Sequence, residues 1–262
     1  MICADAARCL RTYSKRKVVA YYSGYTALEK PEEAILRALS RRLSSMRMLD
    51  IGVGGGRMTE PFAPRVGTYH GIDISPEMVD ACRTRFAGRI PADRFAVRDM
   101  RELERYPAHA FELILNSYNT IDHLDQLERS RFIGEVRRIT APGGYFCFST
   151  HNIRSLARRE PIEWSWRRPH AALRALLHRA RYLKLNRDAL ERVADAEYVI
   201  INNGTHDDFA LELCYVRPTA QVETLKRAGF GQVAVYSLET GEEMGEGKIA
   251  SATDRWLYYL CS

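Results

Sequence analysis

The sequence predicts an α/β fold: a doubly wound, mostly parallel seven-stranded sheet with helices on both faces, interrupted after its fifth strand by an inserted lid of helices and a hairpin. Three observations predict it. Short β-like runs alternate with helical patterns, a glycine-rich loop follows the first run, and acids close the second and third runs. Alternation at this spacing implies strands joined by crossover helices, and ligands in such sheets bind beyond the carboxyl ends of the strands.

Taken in order, Lys30 to Leu43 places Ile35, Leu36, Leu39 and Leu43 at helical spacing. RMLDIGV, TYHGIDI, RFAVRD, FELILNS and GYFCFST read as five strands. Between them, PEMVDACRTRF opens with Ser75-Pro76, a cap followed by proline in the first turn, and LDQLERSRFIGEVRRIT is a second helix ended by Ala141-Pro142-Gly143-Gly144. From Ile153 the pattern changes to a basic, Trp-containing helical stretch, then a hairpin centred on Asn202-Asn203-Gly204. A helix (TAQVETLKRAGF) and two strands (QVAVYSLE, RWLYYLCS) return to the alternating plan. The expected organisation is therefore residues 1–152 as N-terminal helices and ligand-binding half, 153–216 as the inserted lid, and 217–262 completing the sheet.

The chain has 262 residues, 46% of them hydrophobic, enough for one α/β domain with an elaboration. No apolar run reaches the length that spans a bilayer, and the first residues lack the apolar core of a secretory signal, so a cytoplasmic protein is expected. Six scattered cysteines without a CxxC pair read as free thiols, Cys82 and Cys147 as core, and no cluster has metal-ligand spacing. The net charge is +6, yet Ile153 to Arg192 alone holds eleven Arg/Lys against four Asp/Glu. The basicity belongs to the insertion.

The glycine loop after the first strand admits several cofactors. A nucleoside-triphosphate loop needs a Lys-Ser/Thr pair, and here Gly56 is followed by Arg57-Met58-Thr59. A dinucleotide fingerprint keeps Gly52 and Gly54 but expects a third glycine where Arg57 stands. Asp73 ends the second strand, placed to accept both hydroxyls of an adenosine ribose, which NAD would require equally. Asp99-Met100 ends the third strand, where an acid can take an adenine amino group and the next backbone N–H can reach the ring.

Together LDIGVGGG, GIDISPEMV, RDM, FELILNSYNTIDHL and APGGYFCFST resemble the class I S-adenosylmethionine-dependent methyltransferases, small-molecule or glycan type, in order and spacing. YVRPTAQVETLKRAGF and RWLYYLCS look like that family's last helix and strands. The resemblance spans roughly Tyr21 to Ser262 apart from the insertion. It implies S-adenosyl-L-methionine as cofactor and S-adenosyl-L-homocysteine as product. It also implies that Asp50, Gly52, Gly54 and Gly56 line the methionine moiety, Asp73 binds ribose, and Asp99 and Met100 flank adenine. Tyr22, Ile74 and Asn116 complete the expected cofactor set.

A sulfonium methyl is already activated, so transfer needs an aligned acceptor and, for a hydroxyl or ammonium, loss of a proton. His123 follows the fourth strand and is the candidate base; its alternative is a histidine that hydrogen-bonds the loop or cofactor. Tyr118 and Asn119 are placed to shape the pocket, and Asp122 to orient His123 or cap the next helix. Tyr22 and Tyr25 are candidates for an N-terminal cover. In the insertion, Leu173, Leu176, Leu177, Ala180 and Leu183 form an apolar stripe, expected to pack on the core, and His170, Arg174, His178 and Arg181 a basic one open to an anion. Tyr25, Trp164, Arg174 and Arg181 are therefore the candidate acceptor contacts. The Asn/Asp-Pro-Pro-aromatic motif of amino-methylating nucleic-acid enzymes is replaced by Asn116-Ser117-Tyr118-Asn119.

These readings converge on methyl transfer to an O or N atom of a small-molecule or glycan acceptor, anionic acceptors included, in biosynthesis. No nucleic-acid partner is expected, and peripheral membrane contact through the insertion stays open. The alternatives are a cofactor-binding relative without turnover and a nicotinamide-dependent oxidoreductase.

Overall fold

The computed structural model describes residues 6–157, 169–204 and 209–262. Helices α1 (Ala6–Tyr13), α2 (Arg16–Gly24) and α3 (Lys30–Leu39) precede β1 (Arg47–Ile51). The alternating part follows as α4 (Thr59–Phe62), β2 (Thr68–Asp73), α5 (Pro76–Arg85), β3 (Phe95–Val97), β4 (Phe111–Asn116), α6 (Gln126–Ile139) and β5 (Thr140–His151). Next come α7 (Pro169–Leu185), α8 (Arg187–Glu191), β6 (Tyr198–Asn203) and β7 (Leu211–Val216). The chain closes with α9 (Pro218–Arg227), β8 (Val233–Ser237), α10 (Glu246–Ser251) and β9 (Trp256–Cys261).

The described residues form a seven-stranded sheet in the order β3-β2-β1-β4-β5-β9-β8. β1 pairs in parallel with β2 and β4, and β9 runs antiparallel between β5 and β8. Strand order therefore reverses between β1 and β4, and the crevice beyond their carboxyl ends is where such sheets take ligands. The β-like runs fold this way because both faces are covered. In β4, Ile114 packs into one core cluster while Leu113 and Leu115 enter the other, the period of two that a buried strand imposes.

The helix starts are built as their residues suggest. Ser75 Oγ accepts from the Met78 N–H at 3.2 Å, and Asp125 accepts from the Glu128 N–H at 2.8 Å in a capping box. Each such cap contributes about 1 kcal/mol. Cys82 and Cys147 are buried, as their apolar neighbours predict.

Two expectations are corrected. The hairpin of β6 and β7 exists, but its turn lies later than Asn202-Asn203-Gly204, because Asn202 and Asn203 pair in register with Glu212 and Leu211. The apolar stripe of α7 does not enter the core: Leu173, Leu176, Leu177 and Leu183 are 44–62% exposed. The helix instead turns its His178 and Tyr182 side to the hairpin, with ring centroids 4.6 and 6.5 Å from Phe209. Ring-on-ring contact on that side sets the helix rotation and leaves the leucines outward.

Candidate functional site

A cavity opens where strand order reverses. Gly52 and Gly54 after β1, Asp73 and Ile74 after β2, and Asp99 and Met100 after β3 line it. Ser117, Tyr118, Thr120 and His123 line it from beyond β4, and Cys9, Tyr13 and Tyr22 reach it from α1 and α2. The Gly54 N–H donates to Asp73 Oδ2 at 2.9 Å and the Ser75 N–H to Oδ1 at 2.9 Å, so the carboxylate is fixed at the rim. Burial pushes the Asp73 carboxyl above its ordinary range, and the N–H bonds from Ser75 and Gly54 oppose that rise. Asp99 is held by Arg101, through its backbone N–H at 2.9 Å and its guanidinium at 3.1 Å.

The middle of the glycine run has a use that sequence reading missed. A Cβ on Gly55 would lie 2.5 Å from the Ser23 backbone, so only glycine lets α2 lie directly on the loop. That contact brings Tyr22 onto the cavity.

Several candidates stand behind the cavity wall. Asp50 is 1% exposed and accepts from the Tyr69 hydroxyl at 2.8 Å; burial raises its carboxyl to about 7, with Tyr69 and Arg57 opposing. A Cβ on Gly56 would lie 2.4 Å from the Phe86 ring, so Gly56 serves the packing of α5. Asn116 donates from Nδ2 to the Ile51 carbonyl at 3.0 Å and so ties β4 to the start of the loop. Tyr25 donates to Glu29 at 2.9 Å, its ring 5.5 Å from Tyr118. Asn119 is buried, its N–H donating to Ser149 Oγ at 2.8 Å.

Tyr118 and Asn119 have φ of +55° and +63°, consecutive left-handed residues that are not glycine. Such backbone costs about 1–3 kcal/mol per residue and persists only where surrounding structure imposes it, often at functional sites. His123 lies on the cavity with both ring nitrogens facing α1: Nε2 is 2.8 Å from the Tyr13 hydroxyl and Nδ1 3.7 Å from Cys9 Sγ.

Two buried networks escaped the sequence reading. Arg57 pairs with Glu32 of α3, donates to Ser117 Oγ at 3.0 Å, and lies 5.0 Å over the Tyr118 ring. Tyr258 of β9 donates to the same Glu32 at 2.7 Å. The signal was the charged residue standing where a dinucleotide loop expects glycine. The second network belongs to Asp122, which neither orients His123 nor caps α6. Its carboxylate accepts from Arg129 at 2.9 Å, Thr150 at 2.5 Å, the His151 N–H at 2.8 Å and His151 Nδ1 at 2.7 Å.

Of the expected acceptor contacts, Trp164 lies outside the described residues. Arg174 and Arg181 are both exposed on α7, and the Arg181 guanidinium stands 5.3 Å over Phe209.

The cavity suits an adenosyl cofactor. Asp73 presents a fixed carboxylate for a ribose diol, and Ile74 and Met100 offer apolar contact for a planar base. A Cβ on Gly54 would meet nothing within 4 Å, so the loop is open on that side. Among the described residues no group of His, Cys, Asp or Glu could hold a metal ion, and no helix is long and apolar enough to cross a membrane.

Comparison with known proteins agrees. Residues 48–144 match the family model described as a methyltransferase domain. A fatty-acid O-methyltransferase of Mycolicibacterium smegmatis is 31% identical over 159 residues, 57% of this chain and 54% of that protein. A malonyl-[acyl-carrier protein] O-methyltransferase of Pectobacterium atrosepticum is 29% identical over 147 residues, covering 56% and 54%. The chain thus spans about half the length of these curated relatives. Among solved structures, the CcbJ methyltransferase of Streptomyces caelestis superposes with a TM-score of 0.61 at 17% identity, over 95% of this chain and 97% of that one; the likeness is one of fold. Over residues 48–144 the chain is thus similar to methyltransferase domains, and its fold is one that solved methyltransferases share.

Proposed function

We propose that this domain transfers the methyl group of S-adenosylmethionine to an oxygen atom of a small-molecule acceptor in a biosynthetic reaction. The carrying observation is the cavity at the reversal of strand order, which brings Gly54, Asp73, Met100 and Tyr118 together. Oxygen is favoured over nitrogen because the fatty-acid and malonyl-carrier relatives are O-methyltransferases. The nicotinamide alternative is not favoured, since Arg57 fills the third-glycine position with a buried ion pair.

When bound, the cofactor supplies an activated sulfonium methyl. The chain's part is to hold and align. Asp73 accepts from the ribose hydroxyls, Asp99 and Met100 face the adenine, and Tyr22 covers from above. Alignment of a bound pair lowers a barrier by about 7–11 kcal/mol. Tyr118, held left-handed by the loop, forms the wall between cofactor and acceptor. His123 anchors α1 over the cavity through Tyr13 instead of taking a proton. Arg174 and Arg181 meet an anionic group on the acceptor. The leucines beside them rest on an anionic lipid surface, as an amphipathic helix with a basic flank does.

Calorimetry with S-adenosylmethionine, together with native mass spectrometry of the purified protein, tests the reading. Binding of the adenosyl cofactor or its demethylated product is expected. NADH binding without affinity for S-adenosylmethionine overturns it.

A further inference from the structure

His151 ends β5 directly opposite Trp256 of β9. Its ring stacks on Tyr215 of the hairpin at 4.5 Å and meets Trp256 edge-on at 5.8 Å. Trp256 in turn meets Tyr118, a cavity residue, at 6.0 Å. An aromatic chain therefore runs from the cofactor cavity to this histidine. We propose that His151, oriented by Asp122, is the proton acceptor of the transfer and that its Nε2 side, beside Asn119 and Trp256, takes a neutral hydroxyl group on the acceptor. The proposal rests on the methyl-transfer reading above.

Asp122 is fully buried and receives four donors, from Arg129, Thr150 and the backbone and ring of His151. Burial alone would raise its carboxyl, but His151, Arg129 and Thr150 outweigh that and hold it below its ordinary range. An ionised Asp122 keeps the proton on His151 Nδ1 and leaves the lone pair on Nε2, the tautomer a general base needs. Nε2 faces the Asn119 amide at 3.5 Å, a long contact that a hydroxyl at ordinary hydrogen-bond distance displaces.

The surroundings point to a hydroxyl ligand. Asn119 Oδ1 and Trp256 Nε1 are buried with no hydrogen-bond partner among the described residues, one an acceptor and one a donor beside the same ring. Leaving such groups unpaired is costly, so a ligand that pairs them is favoured. Other groups around Asp122 and the ring do not compete for the proton. Burial pushes Tyr215 of β7 and Tyr259 of β9 well up and Cys214 up to about 12, so all three stay neutral. Arg129 of α6 is engaged by Asp122, and Arg255 acts on Tyr215.

The atoms balance. As the acceptor oxygen bonds the methyl carbon, its proton passes to His151 Nε2. The carbon–sulfur electron pair returns to sulfur, which departs as a neutral thioether, and the imidazolium formed is paired with the Asp122 carboxylate until it loses its proton to solvent. A carboxylate acceptor has no proton to give, and for it His151 would be silent.

The test measures methyl transfer from radiolabelled S-adenosylmethionine to a panel of phenols and aliphatic alcohols, with octanoate and decanoate as carboxylate controls. Transfer to hydroxyl probes is expected. kcat should rise with pH through a single ionisation. In His151→Gln it should fall roughly 10²–10⁴-fold, with cofactor affinity by calorimetry within about twofold and the ionisation gone. ¹⁵N spectra of the wild type should show the proton on Nδ1 and the lone pair on Nε2, a readout that does not depend on the variant folding. Transfer to carboxylates alone, no transfer to hydroxyl probes, an unchanged pH profile in the variant, or Nε2 protonated throughout overturns the assignment while cofactor binding stands. Failure of the wild type to bind the cofactor overturns the methyl-transfer reading instead.

Discussion

The Tyr13 hydroxyl lies 2.8 Å from His123 Nε2, joining the first helix to the loop after β4 across the mouth of the cavity. The contact joins residues 110 positions apart in sequence and is the basis for reading His123 as an anchor. Tyr13→Phe and His123→Ala each remove one half of it. Cofactor affinity is expected to fall by about 0.5–1.5 kcal/mol, the net value of one hydrogen bond, with kcat at saturating cofactor little changed. Calorimetry beside steady-state rates decides; a large loss of kcat at unchanged affinity in His123→Ala would make the histidine a base after all.

Asp73 accepts two backbone N–H bonds, from Gly54 and Ser75, while facing the cavity. Asp73→Ala should weaken S-adenosylmethionine binding by about 1–3 kcal/mol and leave the loop N–H groups without partners. Asp73→Asn keeps an acceptor oxygen and should lose less. Equal affinities across the three proteins would remove Asp73 from the site.

Asp50 offers a pH experiment. Its folded pKa is raised from 3.8 to about 7 by burial, so the native state keeps a proton that the unfolded chain has released across that window. Stability from this group is fully present below the unfolded value and is lost as pH rises through the folded one. The loss is at most about 4 kcal/mol, taking roughly 1.4 kcal/mol per pKa unit. Urea unfolding between pH 4 and 8 should show the wild type losing stability relative to Asp50→Asn as pH rises. Parallel curves would show that Asp50 stays ionised.

The outward face of α7 is tested by charge and by shape. Arg174→Gln with Arg181→Gln should raise the acceptor's Michaelis constant, leave the cofactor's unchanged, and matter less as salt screens the pair. Leu173→Glu with Leu177→Glu should abolish sedimentation with phosphatidylglycerol vesicles while leaving the fold intact, because both side chains are 54–62% exposed. Wild-type protein that never sediments would leave the leucines a surface without this use.

What the sequence determined by itself is whatever depends on local order. β1 to β5, the glycine loop and the acids at Asp73 and Asp99 were legible because alternation, turn chemistry and strand ends are written within a few residues. The sheet's parallel plan followed from those elements in sequence. The tertiary structure alone decided which polar groups meet. Tyr258 reaches Glu32 across 226 residues, and Asp122 turns from its neighbour His123 to His151, 29 residues on. It also turned the leucines of α7 outward, since a helical stripe shows that one face differs from another but not which face finds a partner. Periodicity is a property of the local backbone, whereas an ion pair or a buried face is selected by where distant strands end in space.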